Sequence, residues 1–307
     1  MRRNKEAEQV NKSSFTAANA FPAKMIVNKS WWDGKIHPLH LQFIPTNKCP
    51  LNCSFCSCKD RDRVLEMDWS TIQEKVKEIA GCGCKAVTIT GGGEPLAHPK
   101  INEIIQLFHS YGIQIGLVTN GVLWNRMEEW DKLTWCRISI SAENHIQSKW
   151  IPYIHEVPID WAFSYVFTGD VEDMEEQLTI AINLPVTHIR VVSDIFDPHE
   201  LPQSIQDDKI IYQPRTDFTM GVKKCWVSLL RPVLHVDGNY YPCCGVQYAR
   251  NGSNRDMIPE MQMSSDWESI FEEQRCFDGS QCDKCYYDHY NQILALFMQK
   301  YKHENFV

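Results

Sequence analysis

The chain has 307 residues, 43% of them hydrophobic, with 31 Lys and Arg against 39 Asp and Glu, a formal net charge of −8. That length accommodates one large α/β domain with a smaller companion, or a single barrel. The acidic balance gives no broad attraction to a polyanion, so a large nucleic acid is a poor partner, and no apolar run approaches the roughly 20 residues a bilayer crossing takes. The first 20 residues are polar and lack the apolar stretch of a secretory signal, which makes the cytoplasm the expected compartment. There the 13 cysteines are better read as ligands of metals or clusters than as a disulfide framework.

Residues 1–35 read as an N-terminal arm, with Phe21, Trp31 and Trp32 available to pack it across the first strand. A strand over 40–44 then delivers Cys49, Cys53 and Cys56 in a C-x3-C-x2-C spacing. Three thiolates leave a cubane one ligand short, which keeps one iron open for chemistry. Phe55, between the last two cysteines, is placed to shield a cluster or flank an adenine. The alternative reading of the spacing is a zinc site completed by His37, His40 or Cys58. Asp68 is a helix N-cap for residues 69–80, where Ile72, Val76 and Ile79 share one face. A strand over 85–90 breaks at Gly91-Gly92-Gly93-Glu94-Pro95, where glycine permits positive φ and close backbone approach and Glu94 offers a carboxylate to an ammonium.

The pattern continues with a helix over 101–109, strand 114–118, helix 126–133, strand 135–141, helix 144–154, strand 161–167, helix 172–182 and strand 187–192. Six βα units imply parallel strands with right-handed crossovers, as an open barrel or a doubly wound sheet over residues 36–195. Residues 196–222, rich in Asp, Pro and Gln, read as a connector. Residues 223–307 form a second, cysteine-rich unit with a hairpin-like turn at Asp237-Gly238 and a final helix over 290–300. In this unit Cys225, Cys243, Cys282 and Cys285 make a four-thiolate site suited to zinc or to a [4Fe-4S] cluster. Cys244, next to a ligand on an extended segment, faces away, and Cys276 is the substitute ligand.

Cys49, Cys53 and Cys56, together with Gly92-Gly93-Glu94, make the sequence resemble the radical S-adenosylmethionine (SAM) superfamily. The resemblance implies a partial (β/α)6 barrel in an α/β fold. It also implies a [4Fe-4S] cluster whose open iron is chelated by SAM, with the glycine turn at the SAM amino group. Ser139 and Ser141 then contact ribose or the methionine carboxylate, and Val192, with Val191, packs on adenine. Residues 223–286 resemble the auxiliary-cluster domains called SPASM and twitch, with Cys225, Gly238 and Cys243 as the opening pattern and Cys282 with Cys285 as the closing pair. A second [4Fe-4S] cluster follows from that resemblance, for two in all.

By analogy with twitch-bearing dehydrogenases of that family, the expected reaction is oxidation of a C–H centre of a small polar or nucleotide-like substrate. An external one-electron donor such as flavodoxin or ferredoxin is the expected partner, with no membrane. A redox-neutral isomerase or epimerase, a modified-nucleotide biosynthesis enzyme, a peptide-modifying enzyme and a zinc-stabilised binding protein are the alternatives. Asp194 and Asp197, after the sixth strand, are candidate hydroxyl-binding or proton-accepting groups; Arg190 is a candidate anion anchor, and Cys58 a hydrogen donor. His188 and Glu143 are lesser candidates. Lys59, Arg61, Arg63 and Lys85 are candidates for a phosphate or carboxylate near the rim, and Trp135 and Trp161, with Trp31 and Trp32, for base stacking.

Overall fold

The computed structural model describes residues 20–28, 34–215, 218–251 and 255–299. Trp31, Trp32 and most of the expected arm lie outside the described residues. After helix α1 (Phe21–Asn28), seven parallel strands follow: β1 (His40–Phe43), β2 (Ala86–Ile89), β3 (Gln114–Thr119), β4 (Trp135–Ile140), β5 (Asp160–Phe167), β6 (His188–Ser193) and β7 (Ile210–Gln213). They lie side by side in the order β7-β6-β5-β4-β3-β2-β1. An unbroken sequential order means that every right-handed crossover returns on the same side, so helices collect on one face and leave the other for a lumen. A doubly wound sheet would reverse its order part-way, so the open-barrel reading is the one that holds.

The crossover helices are α2 (Trp69–Gly81), α3 (Ile101–Ser110), α4 (Ile151–Glu156) and α5 (Val171–Ile182). Asp68 starts α2 as expected: its carboxylate accepts from Thr71 N at 3.0 Å and Thr71 Oγ1 at 2.6 Å, and also from Ser70 Oγ. Asp170 does the same for α5, accepting from Asp173 N at 3.0 Å. The helix-facing side chains of the sheet, Phe43, Ile89, Leu117, Ile138 and Phe163, are buried with Ile72, Val76, Ile104, Phe108 and Leu178 in one apolar cluster. Each such side chain contributes roughly 1.5–3 kcal/mol by leaving water. Alternation then assigns the polar partners to the inner face. The register sets Arg137, Ala162 and His188 in one row across β4, β5 and β6, and Ser139, Ser164 and Arg190 in the next row toward the C-terminal rim.

Two expected helices are shorter in the structure. Residues 126–133 hold only 3-10 turns at Trp124–Arg126 and Trp130–Lys132, and α4 has six residues preceded by a 3-10 turn at Ser148–Trp150. Large rings fill the layer there instead: Trp124 lies 4.2 Å from Tyr153, and Trp130 lies 5.4 Å from Trp161. β7 falls inside the expected connector, where flanking Asp, Pro and Gln residues mask the apolar run Ile210, Ile211 and Tyr212.

The C-terminal half comprises α6 (Val227–Leu230), β8 (Val233–Leu234), β9 (Tyr240–Tyr241), α7 (Trp267–Glu273) and α8 (Asp288–Phe297). β8 pairs parallel to β1 through Gln42 with Val233 and Phe43 with Leu234, and β9 pairs antiparallel to β8. The cysteine-rich half therefore extends the same sheet to nine strands. Gly238 takes φ +79° in the intervening turn, a conformation that favours glycine. Among the described residues no helix is long and apolar enough to cross a membrane.

Candidate cluster and cofactor site

The loop after β1 and the loop after β2 are zipped together by main chain. Gly93 N donates to Thr46 O at 3.0 Å and Glu94 N to Lys48 O at 2.8 Å. A Cβ on Gly93 would lie 2.2 Å from Lys48 O, and one on Gly92 would lie 2.0 Å from Asn47 Oδ1. None of Gly91, Gly92 and Gly93 has positive φ. The sequence-based reason for these glycines is thus corrected in part: the loops need them for close approach, not for left-handed backbone.

Glu94 is turned inward, 2% exposed. Its carboxylate accepts from Thr119 Oγ1 at 2.5 Å, Asn120 N at 2.7 Å and Leu96 N at 3.1 Å, which ties the glycine loop to the end of β3. Burial pushes its pKa up to about 7, against the pull of these three donors. Asn120, held by this contact, donates its side-chain amide to Cys49 Sγ at 3.5 Å.

Two arginines organise the cysteine loop from within. Arg61, 5% exposed, donates from Nε to Asn47 O at 2.8 Å and from Nη1 to Cys58 O at 2.5 Å, with Cys56 Sγ at 3.7 Å. Arg63 donates to Cys49 O and Leu51 O, both at 2.7 Å, and to Asn52 Oδ1 at 2.9 Å. The expectation of rim cations meeting a phosphate is therefore corrected for both, because their donors are spent on carbonyls. Lys85 precedes β2, at the end of the strands opposite the rim; Lys59 is exposed.

Glu143 accepts from Ser54 N at 2.9 and 3.1 Å and from Ser54 Oγ, so it clamps the second half of the loop. Burial first, then this carboxylate, pushes the Cys53 thiol up to about 11. From the C-terminal half, Arg255 donates to Ser54 O, its N–H donates to Asp60 Oδ2 at 3.1 Å, and its guanidinium lies 4.6 Å from the Phe196 ring. Nothing in the spacing of these polar residues announced their roles: Arg61, Arg63 and Glu143 stood out in the sequence only as candidates for other tasks, and Asn120 and Arg255 not at all.

The other expected residues divide by position. Phe55 is half-buried in the loop; Ser139 is half-buried and Val192 buried on the inner face. Ser141 is buried, and its Oγ accepts from Glu143 N at 3.2 Å, so it forms the turn after β4. Asp194 is buried where β6 ends and accepts from Phe196 N at 2.9 Å, whereas Asp197 is exposed with His199 Nε2 at 3.6 Å. Cys58 is buried, not a surface thiol, and burial raises its pKa far above the ordinary range. His37 contacts Cys82 O at 3.1 Å and His40 contacts Thr88 Oγ1 at 2.8 Å. Neither histidine completes the cysteine loop. Trp161 is a core residue whose Nε1 donates to Val157 O at 3.2 Å, so it is no stacking platform.

The second cysteine set is gathered by two antiparallel clips. Cys225 N donates to Phe277 O at 3.1 Å, and Thr219 and Cys285 exchange bonds of 3.2 and 2.7 Å. Cys225, Cys243, Cys282 and Cys285 line one cavity, with Phe277 and Tyr287 in its wall. A Cβ on Gly221 would lie 2.9 Å from Cys282 Cβ, and one on Gly245 3.3 Å from Cys243 Sγ, so small residues make room for the sulfurs. Cys276 and Cys244 do not line it; Cys244 Sγ sits 2.9 Å from Tyr287 OH. Among the described residues no three or more His, Cys, Asp or Glu side chains converge as they would on a single metal ion. The thiols share a loop and a cavity rather than a point.

Residues 43–145 match the family model of the Radical SAM superfamily. Among curated proteins, the PqqA peptide cyclase of Gluconobacter oxydans is 28% identical over 111 residues, 35% of this chain and 31% of that protein. The 7-carboxy-7-deazaguanine synthase of Aquifex aeolicus is 24% identical over 187 residues, 60% of this chain and 73% of that protein. The GTP 3',8-cyclase of Clostridium perfringens is 33% identical over 113 residues, 34% of each chain. The chain thus matches about a third of the length of the peptide cyclase. Among solved structures, Streptococcus suis SuiB bound to S-adenosylmethionine aligns with a TM-score of 0.54 at 14% identity, over 89% of this chain and 76% of that one. The anSMEcpe enzyme with bound AdoMet aligns at 0.52 and 15% identity, over 77% and 79%. At such identity the likeness speaks for the fold.

Proposed function

We propose that this chain, whose residues 43–145 match the Radical SAM superfamily, cleaves S-adenosylmethionine reductively and takes a hydrogen atom from a C–H bond of a small polar or nucleotide-like substrate. A [4Fe-4S] cluster and SAM are the cofactors the family implies. When bound, the cluster passes one electron from an external donor into SAM, which breaks a carbon–sulfur bond and gives methionine and a 5′-deoxyadenosyl radical. The observation that carries this reading is the zipper between the Cys49 loop and the Gly93 loop, with Gly93 N 3.0 Å from Thr46 O.

In this reading Cys49, Cys53 and Cys56 hold three irons on a loop kept in shape by Arg61, Arg63 and Glu143. Since the Glu94 carboxylate is engaged by Thr119 and Asn120, the SAM ammonium falls to the main-chain carbonyls of the glycine loop. Ser139 takes the ribose or the methionine carboxylate, and Val192 and Phe55 flank the adenine. Cys225, Cys243, Cys282 and Cys285 hold an auxiliary [4Fe-4S] cluster. Such a cluster, when bound, would supply an acceptor for the one electron that oxidation of the substrate radical releases, and Asp194, the buried carboxylate at the end of β6, would take the accompanying proton. A peptide substrate is the second reading, supported by the similarity to PqqA peptide cyclase.

The test is anaerobic reconstitution followed by reduction with dithionite in the presence of SAM. The protein is expected to carry about eight irons and to form 5′-deoxyadenosine. Cys49→Ala, Cys53→Ala and Cys56→Ala together are expected to leave about four irons and abolish that product. Undiminished 5′-deoxyadenosine from the triple variant, or a colourless zinc protein, would sink the proposal.

A further inference from the structure

Arg137 of β4 and Arg190 of β6 stand in adjacent rows of the inner face, on either side of β5. The Nε of each is buried and has no hydrogen-bond partner among the described residues. Among the charged and polar groups that act on Arg137 are the guanidiniums of Arg215 and Arg231 and the thiols of Cys136 and Cys244. Among those that act on Arg190 are Arg137, Arg215 and the phenols of Tyr286 and Tyr287. Among the described residues no carboxylate forms an ion pair with either arginine.

The physical cost of this arrangement is plain. Burial first, then the neighbouring cations, lower Arg137 to about 10 and hold Arg190 well below its ordinary value. His188, in the Arg137 row, is pushed down to about 3 by burial and then by both arginines, and so stays neutral. The Trp135 ring, 5.8 Å from Arg137, offsets little of this. Both side chains are half-buried with the Nε fully buried; holding a cation so without a counter-charge is costly, and a strand needs only an apolar residue at these positions. Two guanidiniums, with the hydroxyl of Ser164 in the Arg190 row, are the donor set an oxyanion takes. Each arginine lies three residues before its strand ends, roughly 10 Å below the rim where the cofactor loops lie.

We propose that Arg137 and Arg190 seat an oxyanion of the substrate, a phosphate or a carboxylate, on the inner face of the barrel beneath the SAM loops. Calling the occupant a substrate rests on the radical SAM reading; the anion site itself rests on the two strands. The C-terminal half contributes to its electrostatics through Arg231, Tyr286 and Tyr287, so the substrate's charged end lies toward the auxiliary cysteines.

The experiment is calorimetry on the cluster-loaded protein, without reductant, using inorganic phosphate and, separately, glutarate in an oxyanion-free buffer. The wild type is expected to bind one equivalent of at least one probe, and the tighter probe identifies the group. Arg137→Gln and Arg190→Gln are each expected to weaken it at least about tenfold, and Arg190→Lys by less, because charge remains while the planar fork is lost. Thermal melts guard against misfolding: without anion the Gln variants should melt no lower than wild type, since buried repulsion is relieved, and only wild type should gain from the probe. No binding by wild type, or equal binding by the variants, overturns the proposal. Displacement of the probe by SAM, one for one, also overturns it by assigning the arginines to the SAM carboxylate. Because no radical is generated, failure here leaves 5′-deoxyadenosine formation untouched, and the two readings fail separately.

Discussion

Glu94 shows how one residue serves both loops and carries a titration with it. Its folded pKa, about 7, is above that of an exposed glutamate, so between the two values the folded state binds more protons than the unfolded chain. Stability from this group therefore falls as pH rises from about 4.5 to 7. Relative to Glu94→Gln, the wild type is expected to lose roughly 3 kcal/mol across that interval, at about 1.4 kcal/mol for each step of one in pH. Urea melts of both proteins across that range check the sign, and parallel pH profiles would contradict it. At this scale the spacing of the cysteines was enough to group those that the structure brings into one loop and one cavity, and the glycines were legible in sequence because close approach dictates residue type. Arg61, Glu143, Asn120 and Arg255 were not, because any polar residue serves that tertiary folding happens to bring alongside.

Among the elements, the glycine loop is the part whose geometry tolerates least change. A Cβ at Gly93 would overlap Lys48 O and Asn47 C, at 2.2 and 2.4 Å, and both are backbone atoms that cannot swing aside. Gly93→Ala is expected to push the two loops apart and lower 5′-deoxyadenosine formation at least about tenfold, a misplacement of about 1 Å being enough for such losses. Circular dichroism should stay that of the wild type; retained product formation would show that the zipper is dispensable. The strands of the βα alternation were readable because each pairs a short apolar run with a turn. The helices expected over 126–133 and 144–154 were not, because Trp124, Trp130 and Tyr153 carry a helix-like apolar spacing yet pack as rings from 3-10 turns and the short α4. β7 (Ile210–Gln213) escaped because it sits inside a stretch rich in Asp, Pro and Gln that reads as a connector.

For the whole molecule, a net acidic chain encloses a basic inner face, and its cysteine-rich half is a continuation of the barrel sheet. Gln42 N donates to Pro232 O at 3.0 Å and Ile44 N to Leu234 O at 2.9 Å, so β8 covers the edge of β1. A chain ending at residue 222 is expected to leave that edge open and to self-associate. Size-exclusion chromatography reads the outcome, and a soluble monomer would show that β1 needs no cover. The sequence placed the cysteine-rich segment after the barrel but carried no sign of this pairing, since β8 is only Val233 and Leu234. The pairing also sets a timetable. On the ribosome β1 emerges about 190 residues before β8, roughly 10–40 s at ordinary synthesis rates. Throughout that interval β1 is an uncovered edge, and the cysteine loop beside it lacks the Arg255 contact that will hold Ser54. The nascent chain thus passes through a stage in which its first cluster site is accessible and its sheet is unprotected, and both conditions end with the arrival of the same C-terminal half.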